Sequence, residues 1–388
     1  MMVLSVVMKM LFWLSAATII YVYAGYYLIL KAVSAFSGYK LAPGTDFAPG
    51  ISVIIAAHNE GGVIADRLDD ILAQGYPEDR LEVIVASDGS TDDTVAAAYR
   101  YKDKGVVVLD FRENRGRALT HNDAVEHASG EVLVFTDAET RFGEGFLKNL
   151  LFHYADPAVG CVSGRVYLRG SSTDISGSES IYLKYELALR RIEEKLGMLA
   201  TGSGPCFSVR KKLFRPLTAI DDVDFSIPID CVKAGYLVRQ EMEARAYDYL
   251  PADPASEIRL RARMTSKNFL GTVRRCGKGF YTKFPMIGLG LISHKFLRWF
   301  TGYFMAVALL SNLALLGEGP VYKIAFAVQA IFYALCLAGY LGRVLGRNLP
   351  IVAQIFSFTL AAYGMSIGIF NSLTGRVPVK WGKQANNL

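Results

Sequence analysis

Val132-Leu133-Val134-Phe135-Thr136 runs directly into Asp137-Ala138-Glu139-Thr140. An uncharged run of β-branched and aromatic residues reads as a buried strand, and the acids that follow mark where it surfaces. In an extended chain residues i and i+2 point to the same side, so Asp137 and Glu139 can face one cation together. Two hard carboxylate oxygens suit Mg²⁺ or Mn²⁺, ions that complete their shells with water and substrate phosphates. D-x-E by itself is a common tripeptide, so the neighbouring segments carry the reading.

Working outward, Ile51–Ala56, Leu81–Ser87 and Val106–Asp110 are further short apolar runs. Between them Ile64, Leu68, Ile71 and Leu72 recur at helical spacing, and Val95–Tyr99 and Ala118–Ala128 fill the remaining gaps. Strands alternating with helices predict a largely parallel sheet covered on both faces, with ligands at the carboxyl ends of the strands. The first strand ends in Ala56-Ala57-His58-Asn59-Glu60 and the second in Ser87-Asp88-Gly89-Ser90-Thr91-Asp92. Asn59 and Asp88 also fit as turn formers, and Ser90 or Asp92 as a helix cap. A third acidic group, Asp221-Asp222-Val223-Asp224, precedes a predicted helix over Phe225–Gly235. There a carboxylate can serve as a general base beside a diphosphate, and Asp222 or Asp224 can equally cap the helix.

The whole chain has 388 residues, 52% of them hydrophobic and only 20% charged, with a formal net charge of +6. That excludes a disordered chain and is unusually apolar for a soluble enzyme. Met10–Leu30, Trp299–Gly317, Ile324–Gly342 and Asn348–Gly375 are uncharged and of membrane-spanning length. The first exceeds the apolar core of a secretion signal and is followed by no clear small-x-small cleavage site, so it reads as an anchor. The expected organisation is an anchor over 1–47, an α/β domain over 48–257, basic interfacial helices over 258–298 and a membrane region of about three helices over 299–388. Arg259, Arg261, Arg263, Lys267, Arg274 and Arg275, interleaved with aromatic residues, fit contact with anionic membrane lipids. The basic tail Arg376, Lys380 and Lys383 also asks for the cytoplasmic side, which three crossings after a cytoplasmic domain do not give it. Either the last hydrophobic stretch is re-entrant or broken, near Gly364 or Gly368, or the tail is an exception. The five cysteines are scattered without CxxC spacing, which argues against a disulfide framework or a zinc site. The five histidines are too dispersed for a triad.

Taken in order, Ile51–Glu60, Ser87–Asp92, Asn114-Arg115-Gly116-Arg117, Asp137-Ala138-Glu139, Gly202-Ser203-Gly204 and Asp221–Asp224 resemble the membrane-bound glycosyltransferase family 2 proteins. The cellulose, chitin and hyaluronan synthases belong to that superfamily. The resemblance covers roughly Ala48–Pro251 and implies a GT-A, Rossmann-like α/β domain with flanking transmembrane helices. It implies that Asn59, Glu60 and Asp88, with Ala56 near a position often held by proline, bind the uridine and ribose. Arg117 matches the basic residue of N-x-G-K, and Asp137 with Glu139 matches D-x-D, the last acid being one methylene longer. In relatives the catalytic Asp lies eleven residues before a Gly-Tyr pair, and counting back from Gly235-Tyr236 reaches Asp224, with Asp222 in reserve. Processive relatives carry Q-x-x-R-W; this chain has no such run, and Arg263 is the candidate diphosphate ligand in that region.

The function so implied is inverting transfer of a sugar from a nucleotide-sugar donor, a UDP-sugar, with Mg²⁺ or Mn²⁺ at Asp137 and Glu139. The Gly202-Ser203-Gly204 turn would admit a sugar close to the backbone. The acceptor would be a glycan or a lipid-linked glycan at a bacterial-type plasma membrane, with the catalytic domain cytoplasmic. Two rivals stand beside this reading. One is a polyprenyl-phosphate glycosyltransferase, which needs no base. The other is a catalytically silent subunit of a synthesis or export assembly, where Gly364-x-x-x-Gly368 would pack helices. A homo-oligomer or an export partner fits the membrane setting, and no nucleic-acid partner is expected.

Overall fold

The computed structural model describes residues 2–36, 47–169, 181–249, 253–347 and 350–380. They divide between two compact units, one formed by Met1–Phe36, Pro251–Phe269 and Gly288–Arg376, the other by Ser37–Leu250, Leu270–Ile287 and Val377–Leu388. This division falls at residues 250 and 251, with Leu270–Ile287 and Val377–Leu388 in the same unit as the strands.

In chain order the elements begin with the membrane helices α1 (Met2–Ile20) and α2 (Tyr26–Phe36), joined by a π-helical turn, Tyr21–Gly25. The catalytic unit follows with β1 (Ile51–Ala57), α3 (Ile64–Leu72), β2 (Leu81–Asp88), α4 (Thr94–Tyr99), β3 (Val106–Phe111), α5 (Arg117–His127) and β4 (Val132–Thr136). It continues with β5 (Arg141–Phe142), α6 (Phe146–Leu151), β6 (Val159–Arg169), α7 (Ile181–Lys195), β7 (Phe207–Arg210), α8 (Val223–Lys233) and β8 (Leu237–Tyr249). Next come α9 (Pro254–Cys276) and the short α10 (Phe280–Lys283), α11 (Pro285–Gly290) and α12 (Leu297–Trp299), and finally α13 (Thr301–Ala314), α14 (Pro320–Val344) and α15 (Pro350–Leu373).

The eight strands form one sheet in the order β3-β2-β1-β4-β7-β6-β8-β5. The half read from the sequence is parallel, β1 pairing with β2 and β4, and β2 with β3. The other half corrects the expectation of a largely parallel sheet: β7 runs antiparallel to β4 and β6, β5 antiparallel to β8, and only β6 and β8 are parallel. Every residue of β1 and β4 is buried, as their uncharged composition requires. Ile64, Leu68 and Ile71 of α3 close one face over Val53, Ile55 and Val85. The register sets Ile55 against Thr136 and Ala57 against Ser87, so β1, β2 and β4 deliver Asn59, Asp88 and Asp137 to the same edge.

Among the described residues three helices are long and apolar enough to cross a bilayer: Met2–Phe36, Pro320–Val344 and Pro350–Leu373. The stretch expected to span over Trp299–Gly317 instead folds as the 14-residue α13, about 21 Å long against a hydrocarbon core of roughly 30 Å. The last helix is unbroken at its glycines. Gly364, Gly368 and Ser372 face α9: a Cβ on Gly368 would come within 2.6 Å of the Thr265 Cβ, and Ser372 Oγ donates to the Ser266 carbonyl at 3.2 Å. This small-residue stripe thus packs within the chain. Tyr21 Oη and Ser293 Oγ, 2.8 Å apart, join the π-helical turn of the N-terminal span to a second π-helical segment, Leu291–Phe296. Within the catalytic unit the Val379 carbonyl lies so close to Gly116 that a Cβ there would collide with it.

Candidate functional site: an acidic centre around Arg117

The loops after β1 and β2 are built as one interlocked piece. Asn59 has a left-handed backbone, φ +59°, a conformation that asparagine tolerates better than most residues. Its side-chain oxygen accepts the Thr91 N–H at 2.7 Å, while its own N–H donates to Ser90 Oγ at 3.1 Å. Glu60 N–H donates to Thr94 Oγ1 at 2.7 Å and Gly61 N–H to Asp92 Oδ2 at 2.9 Å. Asp92 also accepts the Thr94 N–H at 3.0 Å. Burial opposes its ionised form, but the Thr94 and Gly61 bonds outweigh it and hold the carboxyl below its usual range. Asp88 is wholly buried at the end of β2, and its two oxygens accept the N–H groups of Arg115 and Gly116 at 2.9 and 2.8 Å. The turn-forming role expected for Asn59 and Asp88 is what their side chains perform. His58, its ring nitrogen 2.8 Å from the Asp88 carbonyl, belongs to the same piece.

The second set of acids is arranged differently. Arg117 opens α5 and pairs with Asp137 at the end of β4, both largely shielded from solvent. Burial pulls the Arg117 pKa down, but the carboxylates of Asp137, Asp222, Asp224 and Glu139 outweigh it and leave it raised. Glu139 is pushed up to about 8 by burial first and then by Asp137, Asp248 and Glu60, against the pull of Arg117. Asp224 is pushed up to about 6 by burial and by Asp222, again with Arg117 opposing. One guanidinium thus stands among more negative charge than it neutralises. Asp222 occupies the N-cap position of α8 without a side-chain capping bond, and Asp224 sits in the first turn. The capping alternative finds no such bond to support it.

The Gly202-Ser203-Gly204 turn forms part of the wall. Gly202 N–H donates to the Asp224 carbonyl at 2.6 Å. A Cβ on Gly202 would meet the Phe207 ring at 2.6 Å, so the close approach requires glycine. A Cβ on Gly204 would lie 3.6 Å from Asp224 Oδ1 and 3.7 Å from Arg117 Nη2, which places this turn beside both groups.

Of the residues read from the sequence, the structure brings Arg117, Asp137, Glu139, Asp222, Asp224 and the glycine turn together. Ala56 is buried within β1, while Asn59, Glu60 and Asp88 build the adjacent loops. Arg263 belongs to the other compact unit, Pro251–Phe269 being part of the one that holds the long apolar helices. Sequence reasoning missed Asp248, on a strand it did not foresee, and Arg67 of α3. Arg67 is wholly buried, stacks 3.8 Å over Phe142, pairs with Asp70 and donates to Thr136 Oγ1 at 2.7 Å, directly behind Asp137. Its place among Ile64, Leu68 and Ile71 on the apolar stripe of α3 is the signal that reveals it. All five cysteines are free thiols.

The donor set fits a hard divalent cation. Glu139, held toward its protonated form by burial and then by the surrounding carboxylates, is a site that an added positive charge would relieve. Among the described residues no group of three or more ligating side chains forms a closed cage. Two carboxylates with the remaining positions left to water and phosphate suit Mg²⁺ or Mn²⁺.

Residues 52–218 match the profile of the family described as Glycosyl transferase family 2. The chain is similar to the poly-beta-1,6-N-acetyl-D-glucosamine synthase of Staphylococcus aureus (strain MSSA476), 28% identical over 205 residues that make up 52% of this chain and 48% of that protein. It is similar also to that of Staphylococcus epidermidis, 30% identical over 186 residues, 45% of this chain and 42% of that protein. The chain thus spans about half the length of the curated relatives it matches. A mannosyltransferase from Pyrobaculum calidifontis, solved with GDP-Man and Mn²⁺, shares the fold over 96% of this chain and 99% of its own, with a TM-score of 0.72 at 22% identity. The stretch 52–218 of this membrane protein is therefore a glycosyl transferase family 2 domain, carried on a GT-A fold.

Proposed function

We propose that the protein is a membrane-bound inverting glycosyltransferase, transferring a sugar from a UDP-sugar to a hydroxyl acceptor in polysaccharide or glycolipid synthesis. The observation that carries this reading is the meeting of Asp137, Glu139 and Asp224 around Arg117, with Asp224 raised to about 6. At neutral pH such a carboxyl is mostly ionised yet more basic than an ordinary aspartate, which suits a general base. Asp224 takes the proton of the acceptor hydroxyl as its oxygen bonds to the anomeric carbon. The bond from that carbon to the diphosphate oxygen breaks on the opposite face, and the nucleoside diphosphate leaves. Arg117 supplies a fixed positive charge to the departing diphosphate. Asp137 and Glu139 would hold Mg²⁺ or Mn²⁺, which when bound neutralises charge on the same group. The interlocked Asn59–Glu60 and Asp88 loops, beside Ala56, shape the place for base and ribose. The catalytic unit would face the cytoplasm of a plasma membrane, with a glycan or lipid-linked acceptor held at the bilayer.

The test is UDP or GDP release by the full chain in detergent with Mn²⁺ or Mg²⁺, using UDP-N-acetylglucosamine, UDP-glucose and GDP-mannose and a membrane lipid extract as acceptor. Metal-dependent release with one UDP-sugar, lost in both Asp137→Ala and Asp224→Asn, supports the reading. Release that survives Asp224→Asn and fails in Asp137→Ala points to a phosphate acceptor, which needs no base. No release with any donor, together with no nucleotide binding, overturns the enzyme reading.

A further inference from the structure

Arg190 lies on α7 with 5% of its surface exposed, and the chemistry above does not use it. Its guanidinium makes three hydrogen bonds: Nε donates to Gln240 Oε1 at 2.9 Å, Nη1 to the Gly202 carbonyl at 3.0 Å and Nη2 to the Thr201 carbonyl at 2.9 Å. Gln240 is fixed in turn, its amide donating to the Ser163 and Gly164 carbonyls of β6 at 3.1 and 2.8 Å. The chain of bonds therefore starts in the central sheet and ends on the glycine turn.

The planarity of the peptide bond gives this grip a consequence. In a trans peptide the C=O and N–H point in opposite directions, so holding the Thr201 carbonyl on one side aims the Gly202 N–H at the other. That N–H donates to the Asp224 carbonyl at 2.6 Å. Only a planar fork with several donors can seize two successive carbonyls and a side-chain amide at once; an ammonium is a point charge on a flexible stem.

We propose that Arg190 is a positioning residue for sugar transfer: by clamping the Thr201–Gly202 peptide it fixes the first turn of α8 and so sets the Asp224 carboxylate against the Arg117–Asp137 pair. The proposal rests on Asp224 being the base. Arg190→Lys keeps the charge and loses the fork. In the detergent-purified full chain, with UDP-N-acetylglucosamine as donor, it is expected to lower kcat by about 10²-fold, the loss typical of a small misplacement of a reacting group. The donor KM and the affinity for UDP, measured by calorimetry, should stay within about threefold, because the diphosphate side of the site is held from Arg117 and Arg67 and not from Arg190. In Arg190→Ala, millimolar guanidinium, but not sodium at equal ionic strength, should restore part of kcat. If Arg190→Lys elutes aggregated, Gln240→Leu carries the test, with a smaller fall in kcat and the same unchanged UDP affinity. An unchanged kcat, or a fall in kcat matched by an equal fall in UDP affinity and melting temperature, overturns the positioning role. If Asp224→Asn retains transfer, the base assignment fails and this role fails with it. If Asp224→Asn is inactive while Arg190→Lys matches wild type, only the role of Arg190 is lost.

Discussion

The acids of the β1–β2 loops and the acids at the meeting of β4 and α8 lie at one edge of one sheet, yet their surroundings are opposite. Asp88 and Asp92 are satisfied: each carboxylate accepts two backbone N–H groups, from Arg115 and Gly116 and from Gly61 and Thr94 respectively. Asp221, in the loop before α8, belongs with them. It accepts the Thr218 N–H at 2.7 Å and Ser226 Oγ–H at 2.9 Å and pairs with Arg274 and Arg275; burial opposes its ionised form, but the Thr218 N–H, Arg275 and Ser226 outweigh it and hold the carboxyl below its usual range. Glu139 and Asp224 are instead crowded by other carboxylates, and both are raised. An acid saturated with donors shapes a loop. An acid short of compensating charge is ready to take a proton or a cation.

Substitutions in the two groups should therefore fail in different ways. The largest effect is expected for Asp224→Asn: transfer falls by about 10³-fold with UDP affinity kept. Its melting temperature at pH 7.5 should rise. The folded pKa lies above the unfolded value, so the unfavourable term is fully present once pH exceeds about 6 and vanishes below the unfolded value, and the amide removes it. Second comes Asp137→Ala, with transfer down by about 10²-fold or more and its metal dependence lost. Asp88→Ala should act on stability first, costing about 1–3 kcal/mol by leaving two buried N–H groups without an acceptor, read as a lower melting temperature and weaker UDP binding. The smallest effect is expected for Asp92→Asn, a loss of under about 1 kcal/mol at neutral pH. Because the Asp92 carboxyl is depressed in the folded state, that loss should shrink as pH falls through its folded pKa. A catalytic collapse in Asp92→Asn, or a mainly structural one in Asp224→Asn, would break the division.

What was legible follows from which residues obey a simple pattern. β1 to β4 are uncharged runs, and Val132–Thr136 occupies the residues its composition predicts. The eleven-residue step from Asp224 to Gly235-Tyr236 is spanned by α8 and its glycine stop, φ +85° at Gly235. β6 and β8 escaped notice because their apolar residues are interrupted by charges that find partners only in the fold: Arg239 beside Glu194, and Glu241 with His153 at 2.7 Å. Arg67 and Arg190 escaped for a related reason. A cation on a helix normally reads as solvated surface; for Arg67 only its place on the apolar stripe of α3 says otherwise, and the loop carbonyls that enclose Arg190 are brought to it by the fold. Within Trp299–Gly317 the helix α13 runs only over Thr301–Ala314, since hydropathy does not reveal where a helix stops.

The most direct test of the crowded-acid account is the pH dependence of kcat/KM in wild type and in Asp222→Asn. With Asp224 as the base, wild type should lose activity below about pH 6, and Asp222→Asn should stay active with that limb displaced to lower pH, because the neighbouring charge that raises Asp224 is gone. An inactive Asp222→Asn beside an active Asp224→Asn, or a limb that stays in place when Asp222 is neutralised, would contradict it.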